Sequence, residues 1–294
     1  MRSTTLACLA LLTGCHDTTG SETLRVGSPG TTGIAGRHYE LFVPSETPNL
    51  PLVIALHGGR GNAKQMEKFI RLDEVAAREG FVVVYPDGIG HQWNDGRQEI
   101  STGQDDVAFI SALIDEMIAK HHVDPHRVYV TGISNGGMMS YRLACDLADR
   151  IVAIAPVVGN VPSAVPCKPA HPISVLAING TADPLVPYNG GQVAKTRGAV
   201  LAARDSVAIF AAADGCGAAS STDEPDTDPD DGSRTTRTQF ACPGKRAVEL
   251  LTLTGAGHTW PGRAQYLPKF VIGPVSRDFD ATERIWEFFV DHTP

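Results

Sequence analysis

The sequence contains no block of lysine and arginine residues. Its 294 residues carry a formal net charge of −8, and its pI is near 5.7. A chain of this charge repels phosphate backbones unless some segment reverses the sign locally, and none does. Nucleic acid is therefore not expected as a partner.

Beyond its first residues, the sequence also lacks any run of about 18 apolar residues, the length that a lasting membrane-spanning helix requires. The short apolar stretch at residues 6–12 follows Arg2 and leads into Leu12-Thr13-Gly14-Cys15. This pattern is typical of a bacterial lipoprotein signal, which is cleaved before a cysteine that receives a lipid. We expect a signal peptide at 1–14, lipidation of Cys15 and a polar tether over 15–30. The protein would then be exported, either membrane-anchored in the cell envelope or extracellular. An ordinary signal peptide with a chance cysteine is the alternative.

Four cysteines follow Cys15: Cys145, Cys167, Cys216 and Cys242. None of these four lies in a Cys-x-x-Cys pair or near a histidine at ligand spacing, so no metal site is predicted. In an oxidising compartment, four thiols indicate two disulfides, for which three pairings are possible. We favour Cys145 with Cys167 and Cys216 with Cys242, because these pairs close the shortest loops.

Apolar, β-branched runs alternate with segments of helical spacing along residues 31–294, for which we expect a single catalytic domain. The clearest strands are predicted at 51–56, 81–85, 127–131, 173–178 and 248–253. Helices are predicted at 64–78, 106–120, 136–148 and 281–290. Strands that are apolar on both sides are buried on both faces. The fold class is therefore α/β, with a mostly parallel central sheet and helices on both faces.

One segment departs from this alternation. Residues 218–238 are acidic, contain proline and have almost no apolar side chain, which predicts a mobile surface loop inserted into the domain. The aspartates at 226, 228 and 230 suggest calcium, but Gly232 and Arg237 do not fit the calcium-loop pattern. We favour a solvated loop.

The chemistry-bearing motif is Gly132-Ile133-Ser134-Asn135-Gly136, which follows a predicted strand and opens a predicted helix. In that context a G-x-S-x-G sequence forms a sharp turn that exposes the serine hydroxyl as a nucleophile. The Asn135 N–H can then point at a developing oxyanion. A glycine-rich turn with an ordinary serine is the alternative.

A serine nucleophile needs a histidine base and a carboxylate that orients the histidine. His258 lies in a glycine-rich loop after a predicted strand, and Asp183 also follows a strand. The order Ser, Asp, His is that of α/β-hydrolases. The carboxyl ends of parallel strands share one edge of a sheet, so the three residues can converge. Asp87 also follows a strand and is our second choice of carboxylate.

Further site residues are expected around this triad. The glycine-rich segment after the strand at 51–56 can supply a second oxyanion donor, for which we choose Gly59 or Arg60. We interpret His57 as structural rather than as a second base. Aromatic faces can form a substrate wall, although core tryptophans are an equal alternative. The predicted substrate-binding residues are His57, Gly58, Trp93, Asn94 and Trp260.

These motifs together resemble the esterase/polyhydroxybutyrate depolymerase family, which includes feruloyl esterases and lipoprotein-type depolymerase homologues. The resemblance runs from about Arg37 to the C-terminus and depends on PLVIALHGGRGNA, YPDG with WNDG, DDVAFI, VYVTGISNGGMMSYRLAC, NGTADPLVPYNGG and GHTWPG. It implies an α/β-hydrolase fold and a triad of Ser134, Asp183 and His258. It also implies hydroxycinnamate or hydroxy-acid esters as substrates: soluble aryl esters, polysaccharide-linked esters or hydroxyalkanoate oligomers.

The sequence thus predicts a serine esterase that works through an acyl-enzyme without a cofactor. The same triad also supports acyl transfer or peptide cleavage, because the motifs define the nucleophile and not the acceptor. A non-catalytic surface binder on the same fold is the third alternative.

Overall fold

The computed structural model describes residues 21–26, 37–100 and 103–292. The predicted signal peptide, Cys15 and most of the tether lie outside the described residues. Within the tether range, Ser21–Val26 is a strand that pairs with the next strand of the sheet. No helix in the described ranges is long and apolar enough to cross a membrane.

The described residues are built around one sheet of ten strands. In chain order, ten strands form this sheet and two short ones form a separate ribbon: β1 Ser21–Val26, β2 Arg37–Phe42, β3 Leu52–Leu56, β4 Val82–Pro86, β5 Val128–Ile133, β6 Ala153–Val157, β7 Ser174–Gly180, β8 Gly191–Gln192, β9 Ala199–Val200, β10 Ala219–Asp223, β11 Arg234–Phe240 and β12 Val248–Thr254. The order in the sheet is β1-β2-β4-β3-β5-β6-β7-β12-β11-β10. The six central strands, β4 to β12, run parallel, whereas both margins are antiparallel. The predicted parallel sheet is confirmed.

Helices cover both faces of this sheet, as predicted: α1 Ala63–Ile70, α2 Leu72–Glu79, α3 Asp106–His121, α4 Asn135–Asp146, α5 Ala203–Ala213, α6 Lys269–Ile272 and α7 Ala281–Asp291. Apolar residues of α3, α4 and α5 form one buried cluster with the sheet. Those of α1, α2 and α7 form a second cluster on the opposite face. Two apolar layers with the sheet between them are the arrangement that strands apolar on both sides require.

Short polar side chains begin several helices. Asn62 accepts a hydrogen bond from Gln65 N, and Asp105 accepts one from Ala108 N, which satisfies N–H groups that have no partner within the helix.

The segment 64–78 forms two helices rather than the predicted one. Arg71 lies between them with φ 55°, and its N–H donates to Glu67 O. No proline or glycine marks this break in the sequence.

The acidic segment differs from the expected mobile loop. Its ends are β10 and β11, an antiparallel hairpin that extends the sheet beyond β12. The backbone of β12 supplies ladder hydrogen bonds, so polar side chains are compatible with strands at this solvated margin. In the connecting turn, Asp226 pairs with Arg234 at 2.6 Å. No group of potential metal ligands is assembled in the described ranges.

Two disulfides join Cys145 to Cys167 and Cys216 to Cys242, the pairings that the short loops favour. The first ties the end of α4 to the segment before β7. The second closes the base of the acidic hairpin, since Cys216 precedes β10 and Cys242 follows β11. The first bond therefore constrains the chain between α4 and β7, and the second constrains the hairpin of β10 and β11.

Replacement of Asp73 with asparagine should stabilise the protein at neutral pH. Burial raises the pKa of Asp73 to about 6 from 3.8, and nearby Glu67 adds to the rise. The folded protein thus holds this proton more tightly than the unfolded chain, so stability falls as pH rises from about 4 to about 6. An asparagine oxygen can still accept the 2.6 Å hydrogen bond from Tyr85 Oη. We expect a gain of about 1–2 kcal/mol in unfolding free energy at pH 7.

Urea unfolding of both proteins across this pH range measures the effect. The gain should shrink to nothing well below the unfolded-state pKa of 3.8, where Asp73 is protonated in both states. An equal gain at all pH values would contradict an electrostatic origin.

Candidate active site

Ser134 lies on the tight turn between β5 and α4. Its backbone has φ 57° and ψ −118°, a conformation that strains a residue with a side chain. The turn is held by hydrogen bonds from Ser134 N to Val157 O and from Met138 N to Ser134 O, each 2.9 Å long. Gly136 permits the close packing beneath it, because a Cβ there would lie 2.3 Å from Leu56 O. The local geometry is that of a nucleophile elbow.

Asp183 and His258 form a buried pair. Asp183 Oδ2 lies 2.7 Å from His258 Nδ1, and the side chains are 2% and 3% exposed. The other oxygen, Oδ1, accepts hydrogen bonds from Leu185 N at 2.7 Å and Val186 N at 2.9 Å. The carboxylate is thus fixed by the turn after β7, while the histidine comes from the loop after β12. The imidazole is held with Nδ1 toward the carboxylate, which leaves Nε2 for another partner.

Asp87, the second-choice carboxylate, lies elsewhere. Its Oδ2 is 2.9 Å from His38 Nδ1, and its Oδ1 accepts a hydrogen bond from Ala63 N at the start of α1. The structure therefore brings Asp183, and not Asp87, to His258.

Ser134 and His258 line a common cavity of about 650 Å³. A cavity of this size accommodates a small organic ligand. One wall is apolar and joins α1 to the segment before α6 through an edge-on contact of Phe69 with Tyr266, whose rings are 5.3 Å apart. Tyr266 Oη also donates to His258 O at 2.9 Å. Burial, together with the charge of Asp183, raises the pKa of Tyr266, so this phenol stays protonated.

Asn135 and Gly59 are the candidate oxyanion donors beside the serine. Asn135 is the first residue of α4, so its N–H has no partner within the helix and lies at the positive end of the helix dipole. Gly59 lines the same cavity, and a Cβ there would be 3.8 Å from Asn135 Cβ. The Arg60 N–H is different, since it donates to His91 O at 2.7 Å. Of the two choices for the second oxyanion donor, Gly59 therefore fits and Arg60 does not.

His57 directly precedes Gly58 and Gly59, and both of its ring nitrogens form hydrogen bonds. Its Nε2 accepts from Gly88 N at 2.9 Å, and Nδ1 donates to Gly58 O at 2.8 Å. Burial lowers the pKa of His57, which keeps the ring neutral. A histidine with both nitrogens occupied cannot serve as a second base, in agreement with the structural interpretation. His57 and Gly58 do line the cavity.

The predicted substrate wall of tryptophans is wrong. Trp93 is 0% exposed and Trp260 1% exposed, and neither lines the cavity. Their indole N–H groups donate within the protein, to His57 O and Thr282 Oγ1 respectively. Asn94 also lies away from the cavity, where its side chain donates to Gln104 O at 2.8 Å. The side-chain N–H groups of these residues are thus engaged within the protein and not in the cavity lining.

A buried polar network beside Ser134 was not anticipated. The Asn135 side chain donates to Trp93 O at 3.0 Å and to Asp95 Oδ2 at 2.8 Å, and it accepts from Trp93 N at 2.8 Å. Asp95 is in turn paired with Arg97 at 2.7 Å, both almost fully buried. Asn135 thus joins α4 to the segment at 93–97. The sequence signal for this network is Asp95-Gly96-Arg97, which places an acidic and a basic residue directly after Trp93-Asn94.

The chain is similar in sequence to known esterases. The model of the family described as "Esterase PHB depolymerase" matches residues 38–185. The chain is 31% identical over 278 residues to "Putative esterase NocK" of Nocardia uniformis subsp. tsuyamanensis, covering 87% of this chain and 80% of that protein. It is 34% identical over 219 residues to feruloyl esterase B of Piromyces equi, covering 71% of this chain and 39% of that protein.

Among solved structures, the acetyl xylan esterase of Aspergillus awamori superposes with a TM-score of 0.63 at 16% identity. The match covers 92% of this chain and 99% of that one. At this identity the likeness shows the shared α/β-hydrolase fold.

Proposed function

The chain belongs to the esterase PHB depolymerase family and is an esterase, and from that premise we propose that it is an exported serine esterase with Ser134 as its nucleophile. The observation that carries the proposal is the buried Asp183–His258 pair, whose histidine lines the same cavity as Ser134 on its strained turn. This arrangement supports Ser134 as nucleophile, His258 as its base and Asp183 as the carboxylate that orients the histidine.

In the proposed mechanism, His258 Nε2 takes the Ser134 proton as the serine oxygen attacks the ester carbonyl. The N–H groups of Asn135 and Gly59 hold the oxyanion, and Asp183 stabilises the imidazolium that forms. His258 then gives the proton to the departing alcohol. Water, activated by the same histidine, releases the acid from the acyl-serine.

We further propose hydroxycinnamate esters of plant polysaccharide or short 3-hydroxybutyrate esters as substrates. Relatives that are named feruloyl esterase or acetylxylan esterase support esters attached to polysaccharide. The apolar wall supports an apolar or aromatic group beside His258.

Export through the predicted signal peptide, with lipidation of Cys15, agrees with two disulfides in the body of the protein.

Acid release from methyl ferulate, 4-nitrophenyl acetate and a soluble 3-hydroxybutyrate oligomer tests the proposal. We expect release from at least one ester, with preference for ferulate or hydroxybutyrate over acetate by about tenfold, roughly 1.4 kcal/mol of discrimination. Added glycerol should not divert the acyl group. Dominant transfer to glycerol would instead indicate an acyltransferase, and no release from any ester would overturn the esterase mechanism.

A further inference from the structure

The cavity around Ser134 is cationic, although the chain as a whole is acidic. Among the residues that the structure describes, three arginines line it (Arg60, Arg97 and Arg197), and no aspartate or glutamate does. Arg97 is neutralised by Asp95 at 2.7 Å. Asp183 does not line the cavity, and its oxygens are engaged by His258 and two backbone N–H groups. The positive charge of Arg60 and Arg197 is therefore not balanced within the lining.

Neither Arg60 nor Arg197 forms an ion pair with any residue in the described ranges. Arginine side chains at other positions do so repeatedly, for example Arg78 with Glu79 and Glu283. The backbone of Arg197 is nonetheless held in place, because its O accepts from Arg97 Nη1 at 2.7 Å and its N–H donates to Val193 O at 2.9 Å. A guanidinium that is carried by a fixed backbone and has no ion pair in the described ranges is suited to bind an anionic ligand.

The guanidinium of Arg197 also lies close to the reaction centre. Its Nη1 is 4.0 Å from the position that a Cβ on Gly59 would occupy, and the same position is 3.8 Å from Asn135 Cβ. A group bound by Arg197 would therefore lie beside the N–H groups proposed to hold the oxyanion. The apolar wall with Tyr266 lies around His258, so the cavity offers a charged region and an apolar region.

We infer that Arg197, assisted by Arg60, binds a carboxylate carried by the ester substrate. The inference rests on the proposed function, since it concerns the substrate of the same cavity. A bidentate guanidinium contact would fix the ester relative to Ser134, and a local positive region would offset the repulsion of an anion by a chain of net charge −8. The carboxylate belongs either to the acyl part or to the alcohol part of the ester.

Two pairs of esters that differ only in a carboxylate or a carboxamide test the inference. The pair of monomethyl glutarate and methyl glutaramate places the group on the acyl part. The pair of 3-acetoxybutyrate and 3-acetoxybutyramide places it on the alcohol part. The readout is the ratio of kcat/KM for the acid to kcat/KM for the amide, measured for the purified protein and each variant. Using the ratio removes any general effect of a variant on turnover.

In at least one pair, the wild-type ratio should exceed one, and Arg197→Gln should lower it by about tenfold to a hundredfold, the range expected for hydrogen bonds to charged groups. Arg197→Lys should retain part of the preference, and added salt should reduce it. Arg204→Gln is the matched control, because Arg204 is exposed, forms no ion pair in the described ranges and does not line the cavity. It should leave both ratios unchanged.

The pair of esters whose acid-to-amide ratio falls in Arg197→Gln identifies the part of the ester that carries the carboxylate. Equal ratios in wild type and Arg197→Gln for both pairs would overturn the inference. So would an equal loss on acid and amide, which would assign Arg197 to the oxyanion instead. If the carboxamides are hydrolysed with full dependence on Ser134, the proposed function stands whatever the ratios are.

Discussion

Replacing Ser134 with alanine should lower kcat/KM for ester hydrolysis by about 10⁴- to 10⁶-fold, the range seen when a serine nucleophile is removed from a triad. Without the hydroxyl no acyl-enzyme forms, and the Asp183–His258 pair has no nucleophile to activate. The oxyanion N–H groups of Asn135 and Gly59 remain, so some rate above that of water should persist.

The fold should survive this substitution. The Ser134 side chain makes no capping hydrogen bond to α4, and alanine occupies the same left-handed conformation with the same strain. The unfolding free energy should therefore change by no more than about 0.5 kcal/mol. A loss of activity that came with unfolding would be visible by circular dichroism.

Ser163→Ala is the control, because Ser163 is exposed and does not line the cavity. It should keep full activity and should still be phosphonylated once by a fluorophosphonate, as detected by intact mass. Ser134→Ala should lose that labelling. If Ser134→Ala keeps a tenth of wild-type turnover, Ser134 is not the nucleophile.

Much of the fold was predictable because its signals are local. The runs at 127–131 and 173–178 are apolar on both faces, and strands β5 and β7 contain them within a residue or two. The turn at Ser134 was also predictable, since a glycine-bounded serine between a strand and a helix specifies a short piece of backbone. The meeting of Asp183 with His258 followed from one further rule, that the carboxyl ends of parallel strands share an edge.

Features that depend on distant partners were missed. Composition predicted a loop at 218–238, but the backbone of β12 offers hydrogen bonds that make a hairpin stable there. Neighbouring residues do not reveal whether a tryptophan is exposed, so the sequence left a substrate wall and a core position equally open for Trp93 and Trp260, and the structure shows the core position. Arg197 has no local motif at all. Its approach to Gly59 arises only when the segment between β8 and β9 folds over the elbow.

Replacing Asp183 with asparagine should lower kcat by about 10³- to 10⁴-fold with little change in KM, as expected when the histidine tautomer is inverted. The asparagine oxygen can keep the two hydrogen bonds from Leu185 N and Val186 N, which places its NH₂ group where Oδ2 now meets His258 Nδ1. An NH₂ group donates, so Nδ1 must accept and the proton moves to Nε2.

His258 would then present an N–H rather than a lone pair to the cavity, and it could not take a proton from Ser134. Asp87→Asn is the matched control, because Asp87 also follows a strand but contacts His38 and Ala63 N instead of His258. We expect it to leave kcat within about threefold, as for a change outside the site. Nitrogen NMR of His258 should show the proton on Nδ1 in wild type and in Asp87→Asn, and on Nε2 in Asp183→Asn. Full activity of Asp183→Asn with the proton on Nε2 would mean that His258 is not the base. A loss of kcat in both Asp183→Asn and Asp87→Asn would mean that the loss comes from disturbing the carboxyl edge of the sheet and not from the histidine tautomer.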